Sequence, residues 1–317
     1  MVRWKKALHR PAQRLRSLIY PVQRRLHVSV RARPSRRSAI MLFDPSTRYG
    51  GWIDRVKGIV STYELARLTE RDFKLYAGPT FPVLEFLKPA NHDWRTTLDE
   101  VAWNPLTAAF HVSRDRPVPE FAALRRSSRG NLFVDTNLDY LALLHPELSP
   151  PQVRALWGQR YRELFEPRPV FAQQIAAHVQ PDAVAVHARF TGLLGDFTDV
   201  IDNSLERSQR EELLSTCLER LTEVARAASG PMFLFSDSKT FLARARAVLP
   251  DLIILPGDPS HIDRTSDPTS ALQKTLLDFH VMCACRKIVL LRVGPMYPSA
   301  FSRYASYVNA SEWSEVT

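Results

Sequence analysis

A histidine and an arginine two residues apart follow directly on a short apolar run. The run is Ala183-Val184-Ala185-Val186, and His187-Ala188-Arg189 comes next. Alternating small apolar residues, too few for a helix, predict a buried strand. Residues two apart in a strand share a face. We therefore expect the imidazole of His187 and the guanidinium of Arg189 to project together where the strand ends.

This pair has the chemistry of an anion site. Ligands of open α/β sheets bind outside the carboxyl ends of the strands, and Gly192 and Gly195 turn the chain there. A planar guanidinium at that place suits a phosphate or a diphosphate. The alternative is an Arg189 that only pairs with a surface carboxylate.

The elements around this pair predict a parallel sheet. Beyond residue 196, apolar periodicity predicts helices over residues 208–228, 240–249 and 271–285, alternating with strands over residues 231–235, 252–255 and 287–291. Such alternation is typical of parallel sheets with covered faces. Three strand ends then face one crevice, carrying Arg189, Asp237 and the loop at Ser299.

A second strand–helix–strand pattern lies earlier in the chain. Residues 40–43 and 71–76 read as strands and residues 52–68 as the helix between them. The turn before that helix contains Gly50-Gly51, so backbone N–H groups at the helix N-terminus can meet an anion or a polar sugar. The turn lacks the G-x-G-x-x-G spacing, which argues against a nicotinamide cofactor.

The length of the chain, 317 residues, fits two domains. The Pro-rich stretch Glu166-Pro167-Arg168-Pro169 is the best linker candidate. We therefore predict a basic arm over residues 1–38, an α/β domain over 39–166 and a second α/β domain over 167–317.

Positive charge is concentrated at the N-terminus. Residues 1–43 hold twelve of the 43 Lys and Arg residues and no acid, which leaves 31 against 33 Asp and Glu elsewhere. Leu15, Leu18, Ile19, Val22 and Leu26 form an apolar stripe at helical spacing that Pro21 interrupts. The arm fits an anionic membrane surface, and equally a solvated tail. Nucleic-acid binding and a transit peptide are weaker alternatives.

Composition also indicates in which cellular compartment the protein is expected. No apolar run is long enough to span a membrane, and three cysteines, Cys217, Cys283 and Cys285, do not make a disulfide framework. We expect a cytoplasmic protein that the arm can hold peripherally at a membrane surface. The nearly neutral body argues against nucleic acid as a partner.

Four motifs in order resemble the GDP-fucose-dependent fucosyltransferases of GT-B fold, which include α-1,6-fucosyltransferases, the nodulation fucosyltransferase and protein O-fucosyltransferases. Gly50-Gly51-Trp52-Ile53-Asp54-Arg55 is similar to the first loop of that family, and His187-Ala188-Arg189 to its H-x-R motif. Phe235-Ser236-Asp237-Ser238 resembles the second motif, and Ser299-Ala300-Phe301-Ser302-Arg303 the third. The likeness covers roughly residues 40–308.

The resemblance implies two Rossmann-like domains that face a cleft, and a nucleotide-sugar donor such as GDP-fucose rather than a resident cofactor. It places Phe301 near guanine and Asp237 against the nucleotide or its sugar; the alternative for Asp237 is a helix N-cap. The residues that we expect to bind the donor are His187, Arg189, Asp237, Ser299, Phe301, Ser302, Gly51 and Arg55. Two departures, Trp52-Ile53 within the first loop and bulky residues 294–298 before the third motif, leave donor and acceptor open.

The chemistry of these residues predicts a transferase without a metal. No Asp-x-Asp pair occurs in the chain, so the diphosphate leaving group needs fixed cations and N–H donors. Arg189 supplies the cation, and the helix that begins near Ala300 supplies donors together with the Ser299 and Ser302 hydroxyls. An inverting transfer also needs a base, for which Asp196 is the first candidate and Asp54 the second. The alternative is that both aspartates only shape loops.

We therefore predict an inverting, metal-independent glycosyltransferase that moves fucose to a glycan, a lipid-linked sugar or a peptide. Three alternatives stay open. One is a transferase of the same fold with another donor, and another is a catalytically silent binding protein. The third is a nucleic-acid binder.

Overall fold

The computed structural model describes residues 19–20, 22, 26–28, 37–43, 48–113, 119–127, 130–197 and 203–317. Most of the predicted arm, including Leu15, Leu18 and Pro21, lies outside this set, as do residues 44–47 of the first predicted turn. The chain divides into two compact units. The first comprises Met1–Leu84 with Lys88–Glu166, and the second comprises Glu85–Leu87 with Pro167–Thr317.

The first half of the chain alternates between strands and helices. Its elements are β1 (His27–Val28), β2 (Ser38–Phe43), α1 (Trp52–Leu68), β3 (Asp72–Ala77), β4 (Leu87–Pro89), β5 (Ala102–Trp103), β6 (Ala109–Ser113), α2 (Pro119–Ala123), β7 (Leu132–Thr136), α3 (Leu141–Leu144), α4 (Pro150–Leu164) and β8 (Phe165–Pro167). Short 3₁₀ turns lie at Val83–Glu85 and Leu124–Arg126. Four strands form a parallel sheet in the order β3-β2-β7-β6. The predicted strand–helix–strand unit is confirmed as β2, α1 and β3.

Helix α1 packs closely on this sheet. A Cβ atom on Gly58 would lie 2.0 Å from the backbone oxygen of Thr136 at the end of β7. Only glycine fits there, because that distance is far inside van der Waals contact. Two small sheets are formed by β1 with β5 and by β4 with β8.

The N-terminal segment contributes to the core of the first unit. Tyr20 and Leu26 are buried and belong to one apolar cluster with Ile40, Leu42 and Phe133 of the sheet. Two residues of the predicted arm, Tyr20 and Leu26, are therefore core residues of the first unit. Sequence periodicity predicted a stripe facing lipid or water, but Leu26 of that stripe and its neighbour Tyr20 are buried because the sheet face they meet is apolar.

The second unit is built on another parallel sheet. Its elements are α5 (Pro169–Ala176), β9 (Val184–Ala188), α6 (Arg207–Ala227), β10 (Met232–Ser236), α7 (Lys239–Val248), α8 (Pro268–Ala284), β11 (Lys287–Leu291), α9 (Phe301–Asn309) and β12 (Glu312–Val316), with a 3₁₀ turn at Ile262–Arg264. The strand order is β10-β9-β11-β12, and every pair is parallel. A mixed α/β fold with parallel sheets is thus confirmed.

Two strand predictions in this unit differ from the structure. Of the predicted strand at residues 252–255, only Ile253 pairs, through a single bridge to Phe233. Pro256 lacks an N–H group and ends the ladder. Conversely, β12 was not predicted, because its exposed sequence, EWSEV, lacks an apolar run. Among the described helices, none has the length and apolarity that crossing a membrane requires.

Candidate functional site

Strand β9 lies in the middle of the second sheet and brings three loops to one edge. Its last residue, Ala188, pairs with Ser236 of β10 and with Leu291 of β11. Because the strands are parallel, Arg189, Asp237 and the segment after Leu291 all leave the sheet at its carboxyl edge. The Tyr297 N–H donates to the Arg189 carbonyl at 3.3 Å, so the third loop contacts the first.

His187 is a buried, neutral imidazole at this edge. Burial and, secondarily, the charge of Arg189 lower the pKa of His187 from 6.5 to about 3. Its ring lies 5.4 Å from the ring of Phe301, centroid to centroid. The Nδ1 atom has no hydrogen-bond partner among the described residues. Buried polar atoms are nearly always paired, so this atom is a candidate contact for a ligand.

Asp237 holds the turn that carries Arg189. Its Oδ1 accepts the Phe190 N–H at 2.8 Å and its Oδ2 accepts the Thr191 N–H at 2.7 Å. Oδ2 also lies 3.3 Å from Nε of Arg189. Burial raises the pKa of Asp237, against the opposing effects of Arg189 and of these N–H donors.

The alternative role of Asp237 as a helix N-cap is wrong. Ser238 caps α7, because its hydroxyl accepts the Phe241 N–H at 3.0 Å. Among the described residues, Arg189 forms an ion pair with this buried loop carboxylate, with 3.3 Å between Nε and Oδ2.

The turn after Arg189 is strained. Thr191 has a φ of 58°, in the left-handed region that a β-branched residue rarely adopts. Such conformations cost roughly 1–3 kcal/mol and persist where surrounding contacts fix them. Asp237 provides such a contact through the Thr191 N–H, and Asn203 donates to the Thr191 hydroxyl at 3.3 Å.

Asp196 lies in the same region. Its Oδ2 accepts the Ser238 hydroxyl and the Thr240 N–H, both at 2.8 Å, so this oxygen stabilises the N-terminus of α7. Its Oδ1 is buried and unpaired within the part of the chain that the structure describes. The next residue, Phe197, places its ring centroid 4.7 Å from the Arg189 guanidinium carbon. Asp196 therefore has both a loop-shaping role and one acceptor atom left for another partner.

The third predicted motif forms the start of α9, but its two serines differ. The Ser299 hydroxyl accepts the Phe301 N–H at 3.3 Å, at the loop end of the helix. Ser302 is fully buried, and its hydroxyl accepts the indole N–H of Trp313 in β12 at 3.4 Å. The structure therefore directs Ser302 toward β12, whereas Phe301, the first residue of α9, contacts His187, and Ser299 lies in the loop before the helix.

The first loop lies in the first unit and contains Gly50. Gly50 has a φ of +83°, and a Cβ atom there would lie 2.5 Å from Oδ2 of Asp54. Asp54 also pairs with Lys57 at 2.7 Å. Gly51 is the N-cap of α1, and a Cβ atom there would meet nothing within 4 Å.

Arg55 is buried beneath this loop. Its Nε donates to the Gly50 carbonyl at 3.3 Å, and its guanidinium carbon lies 4.6 Å from the Phe81 ring centroid. The side chain is 1% exposed. Asp54 and Arg55 thus both contact Gly50 and shape the loop.

Sequence reasoning missed a cavity of about 590 Å³ in the second unit. Its walls come from α5, the loop around Gly257 and α8, and include Lys274. Lys274 forms an ion pair of 2.7 Å with Asp278, whose pKa burial raises to about 6 against the effect of that lysine. In the sequence, the signal that could have indicated this ion pair was the spacing of four residues between Lys274 and Asp278 on a predicted helix. Among the residues that the structure describes, no cluster of three or more His, Cys, Asp or Glu side chains is placed to hold a metal ion.

Comparison with known proteins confirms the resemblance at the level of the fold. No protein-family model and no curated protein sequence matches the chain. Fucosyltransferase NodZ from Bradyrhizobium has a similar structure, with a TM-score of 0.53 and 17% identity over 86% of this chain and 92% of that one. NodZ α-1,6-fucosyltransferase soaked with GDP-fucose gives a TM-score of 0.53 and 16% identity over 86% and 93%. A variant of Arabidopsis thaliana FUT1 in complex with GDP gives 0.57 and 11% over 92% and 72%.

The fold is therefore that of solved fucosyltransferase structures. Within the second unit, His187, Arg189, Asp237, Ser299 and Phe301 meet at one sheet edge, with Asp196 nearby. Gly51, Asp54 and Arg55 belong to the loop of the first unit.

Proposed function

We propose that this protein is an inverting, metal-independent glycosyltransferase that transfers fucose from GDP-fucose to a glycan, a lipid-linked sugar or a peptide. The observation that carries the proposal is the meeting of His187, Arg189 and the start of α9 at the carboxyl edge of a parallel sheet. Parallel α/β sheets bind ligands at this edge. The likeness in fold to fucosyltransferases solved with GDP-fucose and GDP supports the choice of donor.

Each group at this edge has a task in the proposed reaction. As the bond between the anomeric carbon and the diphosphate oxygen breaks, negative charge grows on the leaving group. Arg189 and the N–H groups at the start of α9, nine residues long, stabilise that charge. Phe301 packs on the base, and the unpaired Nδ1 of His187 hydrogen-bonds the nucleoside. Ser299, at the same loop, contacts the phosphates.

The acceptor hydroxyl attacks the anomeric carbon from the opposite side, and its proton passes to a carboxylate. We assign this role to Asp196, whose Oδ1 has no partner among the described residues. Asp54 is the second candidate. In this function, residues 39–166 form the acceptor-binding domain and residues 167–317 the donor-binding domain, each Rossmann-like. Gly51 and Arg55 act by shaping the first loop.

Metal independence is part of the proposal, since the chain has no Asp-x-Asp pair and Arg189 offers a fixed cation instead. Calorimetric titration of the full chain with GDP, with and without EDTA, tests it. We expect the same affinity in both. Binding abolished by EDTA would contradict metal independence, and no binding in either would contradict the donor.

One observation favours a second candidate, a binding protein without transferase activity. Asp54 pairs with Lys57, and Arg55 is buried under aromatic rings, so the first loop presents neither side chain freely. Incubation with GDP-fucose separates the two. A transferase releases GDP as it passes fucose to an acceptor or to water, whereas a silent protein binds GDP and releases none.

A further inference from the structure

The cavity of about 590 Å³ in the second unit has no part in the proposed transfer. Its volume lies within the range of small-molecule sites, roughly 300–1,000 Å³. Its walls come from α5 and the residues just after it, the loop over residues 256–267, and the first half of α8. All of these segments belong to one unit, so the cavity is complete within it.

The cavity and the aromatic contact of Phe301 lie on opposite faces of α8. Ser270 and Leu277 both line the cavity, and their spacing of seven residues places them on one face of the helix. Phe279 follows Leu277 by two residues, which is about 200° further round the helix. It packs on Phe301 with 5.4 Å between ring centroids. Helix α8 therefore separates the cavity from Phe301.

Lys274 is held in the wall of the cavity with one donor to spare. Of the three N–H groups of its ammonium, one donates to the Leu255 carbonyl at 3.2 Å and one to the Asp278 carboxylate at 2.7 Å. The third has no acceptor among the described residues. A Cβ atom on Gly257, whose φ is +95°, would lie 3.1 Å from Cδ of Lys274. The close loop and the two bonds thus fix this lysine.

Two glutamines and a serine add further polar groups to the wall. The Gln273 amide donates to the Gln174 carbonyl at 3.1 Å. This bond leaves the amide N–H groups of Gln174 and the carbonyl oxygen of Gln273 without partners in the described part of the chain. The Ser260 hydroxyl, which can both donate and accept, has none there either. The cavity therefore offers donors and acceptors side by side.

The charge of the wall disfavours an anionic ligand. Its side chains include two carboxylates, Asp258 and Asp267, and one ammonium, that of Lys274. Because Lys274 is already paired with Asp278, no excess of positive charge is left to hold a phosphate. The wall also contains no Phe, Tyr or Trp ring, on which a nucleobase would stack. A neutral ligand rich in hydroxyl groups fits best, because each hydroxyl both donates and accepts.

We propose that this cavity is a binding site for a neutral sugar. The groups that hydrogen-bond its hydroxyls are the side chains of Gln174, Gln273 and Ser260 and the third N–H of Lys274. Leu277 contacts its C–H groups. The proposal goes beyond the transfer of fucose and does not depend on it, since the site lies across α8 from Phe301.

Saturation-transfer difference NMR on the full chain tests the proposal. The probes are glucose, lactose, maltose and cellobiose, each up to about 50 mM, a concentration that occupies even a site of millimolar affinity. Glucose 6-phosphate is the charged counterpart of glucose. We expect saturation transfer to at least one neutral sugar, and a weaker signal from glucose 6-phosphate than from glucose.

Single substitutions assign the binding to the cavity. Gln174→Ala and Ser260→Ala each remove one hydrogen bond, so we expect the dissociation constant of the bound sugar to rise about two- to tenfold. Gln173→Ala is the matched control, because Gln173 is an exposed residue of the same helix that does not line the cavity. Arg189→Ala also leaves sugar binding unchanged, whatever its effect on GDP. Thermal unfolding verifies that each variant is folded.

Four outcomes would overturn the proposal. One is that no neutral sugar binds at about 50 mM. Another is that both cavity variants bind sugar as well as the Gln173 control does. A third is that Arg189→Ala weakens sugar binding, which would place the sugar at the other site. The last is tighter binding of glucose 6-phosphate than of glucose, which would indicate an anion site.

Discussion

Arg189 joins the fold to the proposed chemistry at the scale of a single residue. Its backbone carbonyl accepts from Tyr297, its Nε lies against Asp237, and Phe197 covers one side of its guanidinium. The contacts with Asp237 and Phe197 hold a long side chain that would otherwise lose conformational freedom on binding a phosphate, and the Tyr297 bond holds its backbone. The site is thus arranged before a ligand arrives.

We expect Arg189→Ala to weaken GDP binding by about 1.5–3 kcal/mol, which is the value of a hydrogen bond to a charged group. Arg189→Lys recovers little of this loss, because one ammonium group does not replace a planar guanidinium. Calorimetry with GDP measures both. Arg220→Ala is the control, since Arg220 is an exposed residue of α6 paired only locally with Glu223. Unchanged GDP affinity in a folded Arg189→Ala variant would remove Arg189 from the site.

Asp237 acts through Arg189 and Thr191, and Asp237→Asn tests this role. The amide that replaces the carboxylate offers one oxygen to two N–H donors, those of Phe190 and Thr191, and removes the negative charge next to Arg189. We expect the free energy of unfolding to fall by about 1–3 kcal/mol and GDP affinity to fall with it. Urea unfolding and calorimetry measure the two effects. Asp251→Asn, at an exposed turn, is the control and leaves both unchanged. A stable variant with full affinity would show that the turn does not need Asp237.

At the scale of the element, helix α8 carries a histidine, His280, at its contact with α5. His280 packs edge-on against Phe171 of α5, with 5.9 Å between ring centroids, and its Nδ1 lies 2.8 Å from the Leu276 carbonyl. Burial lowers the pKa of His280 from 6.5 to about 4, although the Leu276 carbonyl opposes the shift. The packing of α5 on α8 therefore requires a neutral ring.

This burial predicts acid sensitivity of the second unit. In the unfolded chain, His280 takes up a proton as the pH falls past 6.5, whereas in the folded chain it stays neutral until about 4. The unfolded state binds more protons in that window, so stability falls with falling pH there. His187, with its pKa near 3, adds to the effect. Asp278, with a folded pKa near 6 against 3.8, opposes it between those two values.

We expect His280→Phe to move the acid-unfolding midpoint to lower pH, because the unfolded state no longer gains a proton at this position. Circular dichroism during acid titration measures the midpoint. His178→Phe is the control, since His178 lies after the last residue of α5 and outside the contact between His280 and Phe171. An unchanged midpoint in the His280 variant would mean that its burial does not limit acid stability.

The elements show what the sequence makes predictable. Strand β9 and the helices around it follow from apolar runs and periodicity, because each run buries a face of its own. The edge strand β12 and the lone bridge at Ile253 depend on neighbours distant in the chain, so local pattern does not determine them. The candidate site shows the same difference. The position of Arg189 at a strand end was predictable from the apolar run before it. The direction of the Ser302 side chain depends on Trp313 of β12, and no local pattern reveals how that strand pairs.

At the scale of the whole molecule, the N-terminal segment is part of the first unit. Tyr20 packs on Phe110 with 5.8 Å between ring centroids, and Leu26 is buried in the same cluster. A chain that begins near Ser38 loses both, and the sheet face beneath them meets water. We therefore expect a chain that begins near Ser38 to be less stable than the full chain.

We expect Leu26→Ala to lower the free energy of unfolding by about 2–5 kcal/mol and Tyr20→Ala by a similar amount, because each leaves a cavity under the segment. Denaturant unfolding of the full chain measures this. Val22→Ala is the matched control within the same segment, since that side chain is 80% exposed and surface changes usually stay within about 0.5 kcal/mol. Equal stability of all three would show that the segment adds nothing to the core.

The burial of Tyr20 and Leu26 also sets an order of folding. Their partners include Val101, Val112 and Phe133, which leave the ribosome long after the segment does. Until those residues have been synthesised, the N-terminal segment cannot form its contacts with them. The apolar face of β2 stays exposed during that time. This face can therefore close only after Phe133 has been synthesised. We expect the positive charge of the segment to limit aggregation during synthesis, because nascent chains of like charge repel one another while their apolar strands are still exposed.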